Sequence, residues 1–332
     1  MKKKILIISA PFDQSTNVVM DWINYLGHKS IRINGNDFFK EEIAFLQELS
    51  NKNNRTIINS SNLKIDSKDI YSVWYRKDCT FNFEPSLIGI KDLSQKKETL
   101  IHLKNEYSKG KKTFYTCLAK KNNLGSRIVS IPSKTDMLLK AKEVGLDIPD
   151  TIITNKKKHL EMFLSKHKQI ITKPIGEIAT FSKRTKNKEI FGTLYTELID
   201  NDFLSKITDN FFPSLFQEAL DKVIEIRTFY LNGKCYSMAI FSQLDKQTNI
   251  DFRMYNKEKN NRCVPYKLPE LIEKKITNLM VLLDLKTGSL DLIKTKDDRT
   301  VFLEVNPWGQ YGMTSYPCNY FLDEQLAKYL IE

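Results

Sequence analysis

Two short apolar segments near the end of the chain, each interrupted by an acidic residue, constrain the fold most. Residues 289–307 run SLDLIKTKDDRTVFLEVNP, which predicts two strands joined by a turn at 296–298. Asp291 lies inside the first strand and Glu304 inside the second, while Asn306 shares a strand face with Glu304 because side chains alternate. Pairing of the strands would bring Asp291 beside them. Two carboxylates and an amide oxygen suit Mg²⁺ that is also held by phosphates. The segment therefore predicts a magnesium site, the alternative being a solvent-facing hairpin.

Charged residues also interrupt earlier strands of the second half. Lys173 lies in the apolar segment QIITKPI, where burial of a lysine is costly unless an anion meets it. The alternative is an edge lysine that reaches solvent. Further on, FQEALDKVIEIR places Glu218 before Leu220, a possible hinge whose backbone amides contact a purine ring. Glu225, seven residues after Glu218, could then accept hydrogen bonds from ribose hydroxyls. Ordinary acidic residues at strand ends are the alternative.

The first third of the chain predicts a small parallel sheet covered by helices. An apolar strand at 4–9, a helix at 15–26 ending at Gly27 and a strand at 30–34 form a β–α–β unit. The turn after the first strand lacks G-x-G-x-x-G, the dinucleotide-binding signature. The aromatic segment at 70–77 suits a strand near the edge of this sheet. A polar helix is expected at 95–122.

The pattern changes near residue 131. A helix with an N-terminal cap is expected within 133–151, ending at Gly145, and Asn232-Gly233 predicts a tight hairpin turn. The other elements expected in this part are strands at 169–175, 190–199, 214–220 and 224–243 and helices at 268–284 and 319–331.

Composition narrows the class of protein. The formal net charge is +12, which suggests nucleic-acid binding, but the lysines are dispersed and no nucleic-acid motif accompanies them. Attraction for phosphates or an acidic peptide is the preferred interpretation. The five cysteines are scattered without a CxxC pair, so free thiols in a reducing compartment are expected. No apolar segment approaches the roughly 18–20 residues of a membrane span. We therefore expect a cytoplasmic protein that binds neither membrane nor nucleic acid.

The order of these motifs resembles the ATP-grasp superfamily over residues 131–332. The resemblance implies an α/β (α+β) fold in which a small parallel α/β domain precedes two α+β subdomains that sandwich the nucleotide. The implied division is a pre-ATP-grasp domain at 1–125, a central subdomain at 126–215 and a C-terminal subdomain with the Mg site at 216–332. ATP and Mg²⁺ are the implied cofactors. The implied ligand sets are phosphates on Lys134 and Lys173, adenine between Glu218 and Leu220, ribose on Glu225, and two Mg²⁺ ions on Asp291, Glu304 and Asn306.

A narrower resemblance concerns ligases that cyclise microviridin-type peptides, the graspetides. It rests on the segments SVWYRK, LYTEL, EIR, IDFR and FLEVNPWGQYG, and the ending from Gly309 onward is similar to the maturases of the grasp-with-spasm systems. The implied activity is ATP-dependent activation of Asp or Glu side chains as acyl phosphates, followed by intramolecular ester or amide crosslinking. The implied partner is a ribosomal precursor peptide with leader and core, and a homodimer is possible. Trp308 departs from the microviridin pattern, which leaves the substrate preference open.

In such a reaction, Arg227, Arg253 and Lys173 are the expected catalytic residues. A guanidinium binds planar oxyanions through paired hydrogen bonds, which suits the transferring phosphoryl group or the reacting carboxylate. The alternative for each arginine is a surface ion pair. No histidine falls within these motifs, so the sequence indicates no general base.

Three alternatives stay open at this stage. The strand at 190–199, after the basic segment KRTKNKE, could bind a leader by backbone pairing or be a core strand with an exposed loop. The enzyme could instead join separate molecules, as amino-acid and peptide ligases do. The chain could also be a non-enzymatic basic module that binds nucleotide or nucleic acid.

Overall fold

The computed structural model describes residues 2–35, 37–38, 42–77, 92–125, 132–176, 180–184, 189–193, 196–244 and 260–332, with backbone alone at 180–184, 189–193, 201 and 244. The chain divides into two compact units. Unit 1 comprises residues 1–131 together with 321–332, and unit 2 comprises residues 132–320. The division into segments 1–125, 126–215 and 216–332 stays a prediction.

A parallel four-stranded sheet forms the centre of unit 1. Its order is β2-β1-β6-β7, and every neighbouring pair runs parallel. Residues 5–8 of β1 are fully buried, as expected for a parallel strand covered on both faces. The aromatic segment expected near the edge of this unit forms β6, which lies between β1 and the edge strand β7. Val73, Trp74 and Tyr75 are buried on this inner strand. The strands are β1 (Lys4–Ser9), β2 (Lys29–Asn34), β6 (Ile70–Tyr75) and β7 (Asn122–Gly125).

Two helices and a second sheet complete the first part of unit 1. Helix α1 ends before Gly27, whose φ of +86° terminates it, so the helix predicted at 15–26 is confirmed. The antiparallel sheet β3-β4-β5 was not predicted; Ile58 and Ile65 anchor it in the core. The elements are α1 (Gln14–Tyr25), β3 (Ala44–Leu49), β4 (Asn54–Asn59), β5 (Lys64–Asp66) and α2 (Leu93–Leu118).

The last helix of the chain, α8 (Leu322–Ile331), also belongs to unit 1. It packs against α1 and β6 and buries Leu322, Leu326 and Leu330. The Ser72 hydroxyl donates to the Leu330 carbonyl at 2.5 Å and thereby satisfies one of the carbonyls left open at the helix end.

The final helix predicted at about 319–331 is confirmed as α8, which begins at Leu322. A preceding helix, α7 (Gly312–Cys318), was not predicted. Asn319 has a φ of 54° and Phe321 a φ of 53°. Residues in this left-handed conformation end a right-handed helix, so α7 and α8 are separate.

The first part of unit 2 contains helix α3, which packs against β18 (Thr300–Asn306) and α6 (Glu270–Leu282), and an antiparallel sheet of order β12-β9-β13-β8. Ser133 and Asp136 form a reciprocal capping box at the start of α3, and Gly145, with a φ of +78°, follows its end. Leu160, Ile170 and Phe216 are central to the core of this sheet. The elements are α3 (Lys134–Glu143), β8 (Thr151–Lys156), α4 (Lys157–Leu164), β9 (Ile170–Lys173), β10 (Thr180–Arg184), β11 (Glu189–Thr193), β12 (Glu197–Ile199), α5 (Asn201–Lys206) and β13 (Asn210–Glu218).

The second part of unit 2 is an antiparallel sheet of order β16-β15-β14-β17-β18. Its central hairpin turns at Asn232 and Gly233, both with positive φ, as the sequence predicted. The two strands predicted from residues 289–307 are β17 and β18, which pair antiparallel. The elements are β14 (Lys222–Leu231), β15 (Lys234–Ile240), β16 (Cys263–Tyr266), α6 (Glu270–Leu282), β17 (Thr287–Thr295) and β18 (Thr300–Asn306).

The predicted α/β (α+β) class is confirmed, with a parallel sheet in unit 1 and antiparallel sheets in unit 2. Within the described ranges, no helix is both long and apolar enough to cross a membrane.

Candidate functional site

Three charged residues form a row across neighbouring strands of the five-stranded sheet. Arg227 on β14 is the register partner of Asp291 on β17, and Asp291 is the partner of Glu304 on β18. Directly opposed residues of antiparallel strands project from the same face of a sheet. The row therefore places one guanidinium and two carboxylates side by side on one face.

The first pair in the row is a largely buried ion pair. Arg227 Nη1 donates to both oxygens of Asp291, at 2.7 Å to Oδ1 and 3.0 Å to Oδ2. The two side chains are only 9% and 15% exposed. Within the described part of the chain, Arg227 Nε is buried and has no hydrogen-bond partner. Burial of two charges is costly, so this pair needs a reason other than stability.

A β-bulge sets the direction of the second carboxylate. Asp291 is the partner of Glu304, but the next residue, Leu292, is the partner of Phe302, so Leu303 is the extra residue of β18. Without the bulge, Phe302 and Glu304 would share a face. With it, Phe302 is fully buried in the core while Glu304 remains in the row beside Asp291.

Asn306 extends the row at the end of β18, opposite Ser289. Its side-chain Oδ1 accepts a hydrogen bond from the Trp308 N–H at 3.0 Å, and its backbone carbonyl accepts one from the Gly309 N–H at 3.0 Å. Gly309 lies so close to β17 that an added Cβ would be 2.8 Å from Ser289 Oγ. The tight turn after β18 therefore needs glycine at this position and orients the Asn306 amide.

Lys134 reaches the row from the start of α3. Its Nζ lies 3.6 Å from Glu304 Oε2 and donates to the Pro174 carbonyl at 3.0 Å. Lys173 precedes that proline at the end of β9, where its register partner is Leu215. Lys134 is thus placed beside the Glu304 carboxylate. Lys173 is the residue before Pro174, whose carbonyl accepts the hydrogen bond from Lys134.

The donor set is compatible with Mg²⁺. Two carboxylates and one amide oxygen are the hard ligands that Mg²⁺ takes when phosphates supply the remainder. Among the described residues, Arg227 lies beside Asp291 and Lys134 beside Glu304. No three His, Cys, Asp or Glu side chains among the described residues form a group that could hold a metal by themselves. The set therefore fits a cation shared with an anionic ligand better than a closed protein site.

Glu225 lies further along β14 and is 7% exposed. Its Oε1 accepts from Lys222 Nζ at 2.7 Å and from the Ser242 hydroxyl at 2.6 Å. Burial raises the pKa of Glu225, and Lys222 and Ser242 oppose that shift. Sequence reasoning missed Lys222, because a register shift between Lys222 and Ile224 turns its side chain toward Glu225. Strand alternation alone would have placed the two on opposite faces.

Glu218 ends β13 and contacts the segment before β8. Its Oε1 accepts from the Asp150 N–H at 3.2 Å, and its Oε2 lies 3.8 Å from His167 Nδ1. The His167 ring contacts Phe163, with the ring centroids 4.5 Å apart. Leu220 lies half-buried in the link between β13 and β14. The structure thus places Glu218 and Leu220 at one link between the two sheets of unit 2, and sequence reasoning missed His167.

Two predicted features fall partly or wholly outside the described residues. Arg253 lies outside them. The strand predicted at 190–199 is described as two, because β11 pairs with β10 and β12 pairs with β9. The basic segment before it is described only at its ends.

Comparisons with known proteins agree with this architecture. Residues 4–88 match the family model of the MvdD pre-ATP grasp domain. The structure is similar to a Chryseobacterium gregarium RiPP-associated ATP-grasp ligase in complex with ADP and a leader and core peptide. The TM-score is 0.78 and the identity 23%, over 99% of this chain and 95% of that one.

Two further solved structures have the same fold. The macrocyclase MdnC of Microcystis aeruginosa, bound with precursor peptide MdnA, aligns with a TM-score of 0.76 and 24% identity over 99% of both chains. D-alanyl-alanine synthetase A from Vibrio cholerae aligns with a TM-score of 0.53 and 12% identity over 99% of this chain and 98% of that one. No curated protein sequence matched the chain. The chain therefore has the ATP-grasp fold, and the resemblance to graspetide-type ligases is confirmed.

Proposed function

We propose that this chain is an ATP-dependent peptide maturase. It activates Asp or Glu side chains of a ribosomal precursor peptide as acyl phosphates and closes intramolecular ester or amide crosslinks. The observation that carries the proposal is the row of Arg227, Asp291 and Glu304, with Lys134 against Glu304, on an ATP-grasp fold. Two similar structures, described as a RiPP-associated ligase and a macrocyclase, contain precursor-derived peptides, which supports a peptide substrate.

Charge is the first requirement of the reaction. Transfer of a phosphoryl group needs positive charge around its oxygens and an in-line approach of the acceptor. Asp291, Glu304 and Asn306 would hold Mg²⁺, which would supply that charge at the β- and γ-phosphates. Lys134 and Lys173 would contact the same phosphates. Glu225 would bind the ribose, and Glu218 and Leu220 would flank the adenine.

Arg227 has two tasks in this proposal. Through Nη1 it fixes both oxygens of Asp291, so that this carboxylate keeps one orientation. Its guanidinium also contributes a permanent positive charge on the face to which Glu304 projects, where it stabilises the developing charge of the transferring group. Arg253 is proposed as a second arginine for the phosphoryl group or the reacting carboxylate.

The proposed chemistry balances in two steps. A carboxylate oxygen of the peptide attacks the γ-phosphorus, the bond to the bridging oxygen breaks, and ADP leaves. A hydroxyl or amine of the same peptide then attacks the acyl carbon and loses a proton. The carbon–oxygen bond to phosphate breaks and phosphate leaves. The peptide loses one water for each link.

Joining of two separate molecules is the second candidate. The similarity to D-alanyl-alanine synthetase A, with a TM-score of 0.53, favours this intermolecular reaction. The greater similarity to the RiPP-associated ligase, with a TM-score of 0.78, supports the intramolecular reaction instead.

The test incubates the purified protein with ATP, Mg²⁺ and a candidate precursor peptide taken from a neighbouring short reading frame, and measures the peptide mass. Loss of one water per link is expected. It should be absent in Lys173→Met, and absent in Glu304→Gln at a Mg²⁺ concentration that just suffices for the wild type. Hydroxylamine added during turnover should trap the acyl phosphate as a hydroxamate. A gain in mass equal to an added amine would favour the intermolecular ligase. An unchanged peptide and uncleaved ATP would refute both.

A further inference from the structure

A second group of charged residues lies at the carboxyl edge of the parallel sheet of unit 1. Strands β1, β2 and β6 end there at Ser9, Asn34 and Tyr75. In open α/β sheets, ligands bind in the crevice outside the carboxyl ends of the strands. The residues that follow these ends, or project from them, are Asp13, Arg32, Arg76 and Lys77, and none of them belongs to the row in unit 2.

Two members of this group are fixed in place. Arg76 is 4% exposed, its Nε lies 3.3 Å from Asp13 Oδ2, and its guanidinium lies 5.8 Å from the centre of the Trp74 ring. The Ser15 hydroxyl donates to Asp13 Oδ1 at 2.5 Å. Burial by itself raises the pKa of Asp13, but Arg76, Ser15 and Lys77 outweigh it and the pKa is lowered. Asp13 is therefore an anchor that holds cations at this edge.

Arg32 is equally constrained. Its Nε donates to Asn34 Oδ1 at 2.9 Å, its Nη1 to Asn17 Oδ1 at 2.7 Å, and its Nη2 to the Ala10 carbonyl. Each nitrogen of the guanidinium thus already has an acceptor, which fixes the group and its positive charge at this edge.

Lys77 differs from the two arginines. Its side chain is 30% exposed, and its Nζ is 3.8 Å from Asp13 Oδ2, beyond hydrogen-bond distance. Among the described residues, the charged groups that act on Asp13 and Arg32 are three cations, Arg32, Arg76 and Lys77, and two carboxylates, Asp13 and Asp37. These described groups carry one positive charge in excess, and Lys77 is half-buried rather than buried like Arg76. A carboxylate of a ligand would balance that charge.

An exposed aromatic residue lies next to the group. Phe12, in the turn between β1 and α1, is 99% exposed and has a φ of 66°. A bulky residue in the left-handed region is strained, and its ring gains nothing from burial in the protein. Phe12 is one residue from Asp13, so the ring and the excess cation belong to the same edge.

We propose that the carboxyl edge of the unit 1 sheet binds an acidic segment of the peptide substrate. Lys77 pairs with one carboxylate side chain, and the Phe12 ring packs against the neighbouring residues of the peptide. Asp13, Arg76 and Arg32 position Lys77, and the two arginines keep the electrostatic potential at this edge positive. The identity of the peptide rests on the proposed function, while the preference for a carboxylate rests on the charges of the edge.

Photocrosslinking tests where the peptide lies. p-Benzoylphenylalanine replaces Phe12 in the full chain, and replaces Tyr25 in the control, because Tyr25 is 81% exposed and lies at the far end of α1 from the turn that contains Phe12. Irradiation with the fluorescein-labelled candidate precursor should crosslink from position 12 and not from position 25, and excess unlabelled peptide should compete. Equal or absent crosslinking from the two positions would overturn the proposal.

Binding measurements test the charge. Lys77→Met should weaken binding of the labelled peptide by about tenfold, the size expected for one hydrogen bond to a charged group. Lys77→Arg should restore it. Lys29→Met, at the exposed amino end of β2, is the matched control and should bind normally. A copy of the peptide with Asn and Gln in place of Asp and Glu should bind the wild type as weakly as the acidic peptide binds Lys77→Met.

The two proposals fail in different ways. Suppose that Lys77→Met binds the peptide like the wild type, while the wild type still forms ATP-dependent links within the precursor. This inference is then wrong and the maturase proposal stands. If binding depends on Lys77 but no peptide is converted with ATP, the maturase proposal fails and the binding edge stands. Absence of any binding by the wild type overturns the inference. Affinity for ATP should be the same in all variants, which reports that unit 2 is intact.

Discussion

Arg227 and Asp291 face each other across β14 and β17 and form a two-point contact, with Nη1 2.7 Å from Oδ1 and 3.0 Å from Oδ2. Both side chains are largely buried. Removal of one partner of a buried pair leaves an uncompensated charge, whereas removal of both does not. The pair can therefore be tested by a double-mutant cycle.

Asp291→Leu should lower the free energy of unfolding by about 3–5 kcal/mol, because Arg227 is then buried without its counter-charge. The double variant Arg227→Leu with Asp291→Leu should regain most of that loss. Urea denaturation measures both. Asp221→Asn is the control, since its ion pair with Lys296 is exposed and should contribute no more than about 1 kcal/mol. Strict additivity of the two leucine substitutions would contradict the prediction.

Glu304→Gln should raise the Mg²⁺ concentration for half-maximal ATP cleavage by about tenfold or more. Loss of a group that only orients a metal ligand already costs about 10–100-fold, so loss of a ligand itself should cost no less. Lys134→Met should instead weaken ATP binding, because a positive charge is lost. Initial rates over a Mg²⁺ titration distinguish the two effects. Glu273→Gln, in an ion pair with the exposed Lys267, should leave the titration unchanged.

Gly309→Ala should disturb the turn that orients Asn306. Its Cβ would lie 2.8 Å from Ser289 Oγ and 2.9 Å from Ser289 N, and backbone cannot move aside easily. Overpacking of this kind costs about 1–3 kcal/mol. Thermal denaturation and the peptide assay should both register the change. Gly176→Ala, where an added Cβ meets nothing within 4 Å, should be neutral. Normal activity of Gly309→Ala would show that this turn does not contribute to the site.

Asp13 predicts a pH dependence of stability. Its pKa in the folded chain is lowered below the ordinary 3.8, so the folded state binds the proton less tightly than the unfolded state. The stabilisation is therefore fully present above pH 3.8 and declines as the pH falls toward the folded-state pKa. The difference in urea midpoint between the wild type and Asp13→Asn should be constant near neutral pH and shrink below about pH 4. A difference that grows on acidification would refute this assignment.

The sequence indicated the carboxylate row because its signal is local. Asp291 and Glu304 interrupt two apolar strands joined by a short turn, so pairing follows from proximity along the chain. The hairpin at Asn232 and Gly233 was predictable for the same reason. Resemblance to known ligases added Lys134, which is distant in sequence and whose contact with Glu304 no periodicity indicates.

Features that depend on irregular pairing could not be predicted. The bulge at Leu303 and the register shift after Lys222 each turn a side chain to the opposite face, and strand alternation assumes that such shifts are absent. The inner position of β6 depends on β7, which lies about a hundred residues from β1 along the chain and carries little apolar pattern of its own. The break before α8 depends on Asn319 and Phe321, which adopt the left-handed conformation although neither is glycine.

The return of α8 to unit 1 has a consequence for how the chain is made. The leucines that complete the core of the first unit are synthesised after all of residues 132–320. Domains generally fold as they emerge from the ribosome, the N-terminal one first. Here the N-terminal unit must wait, incompletely packed, until the whole of unit 2 has been translated. A nascent chain of this protein is therefore exposed to aggregation and to chaperone capture at its oldest part, and removal of a dozen residues from the far end would damage the part made first.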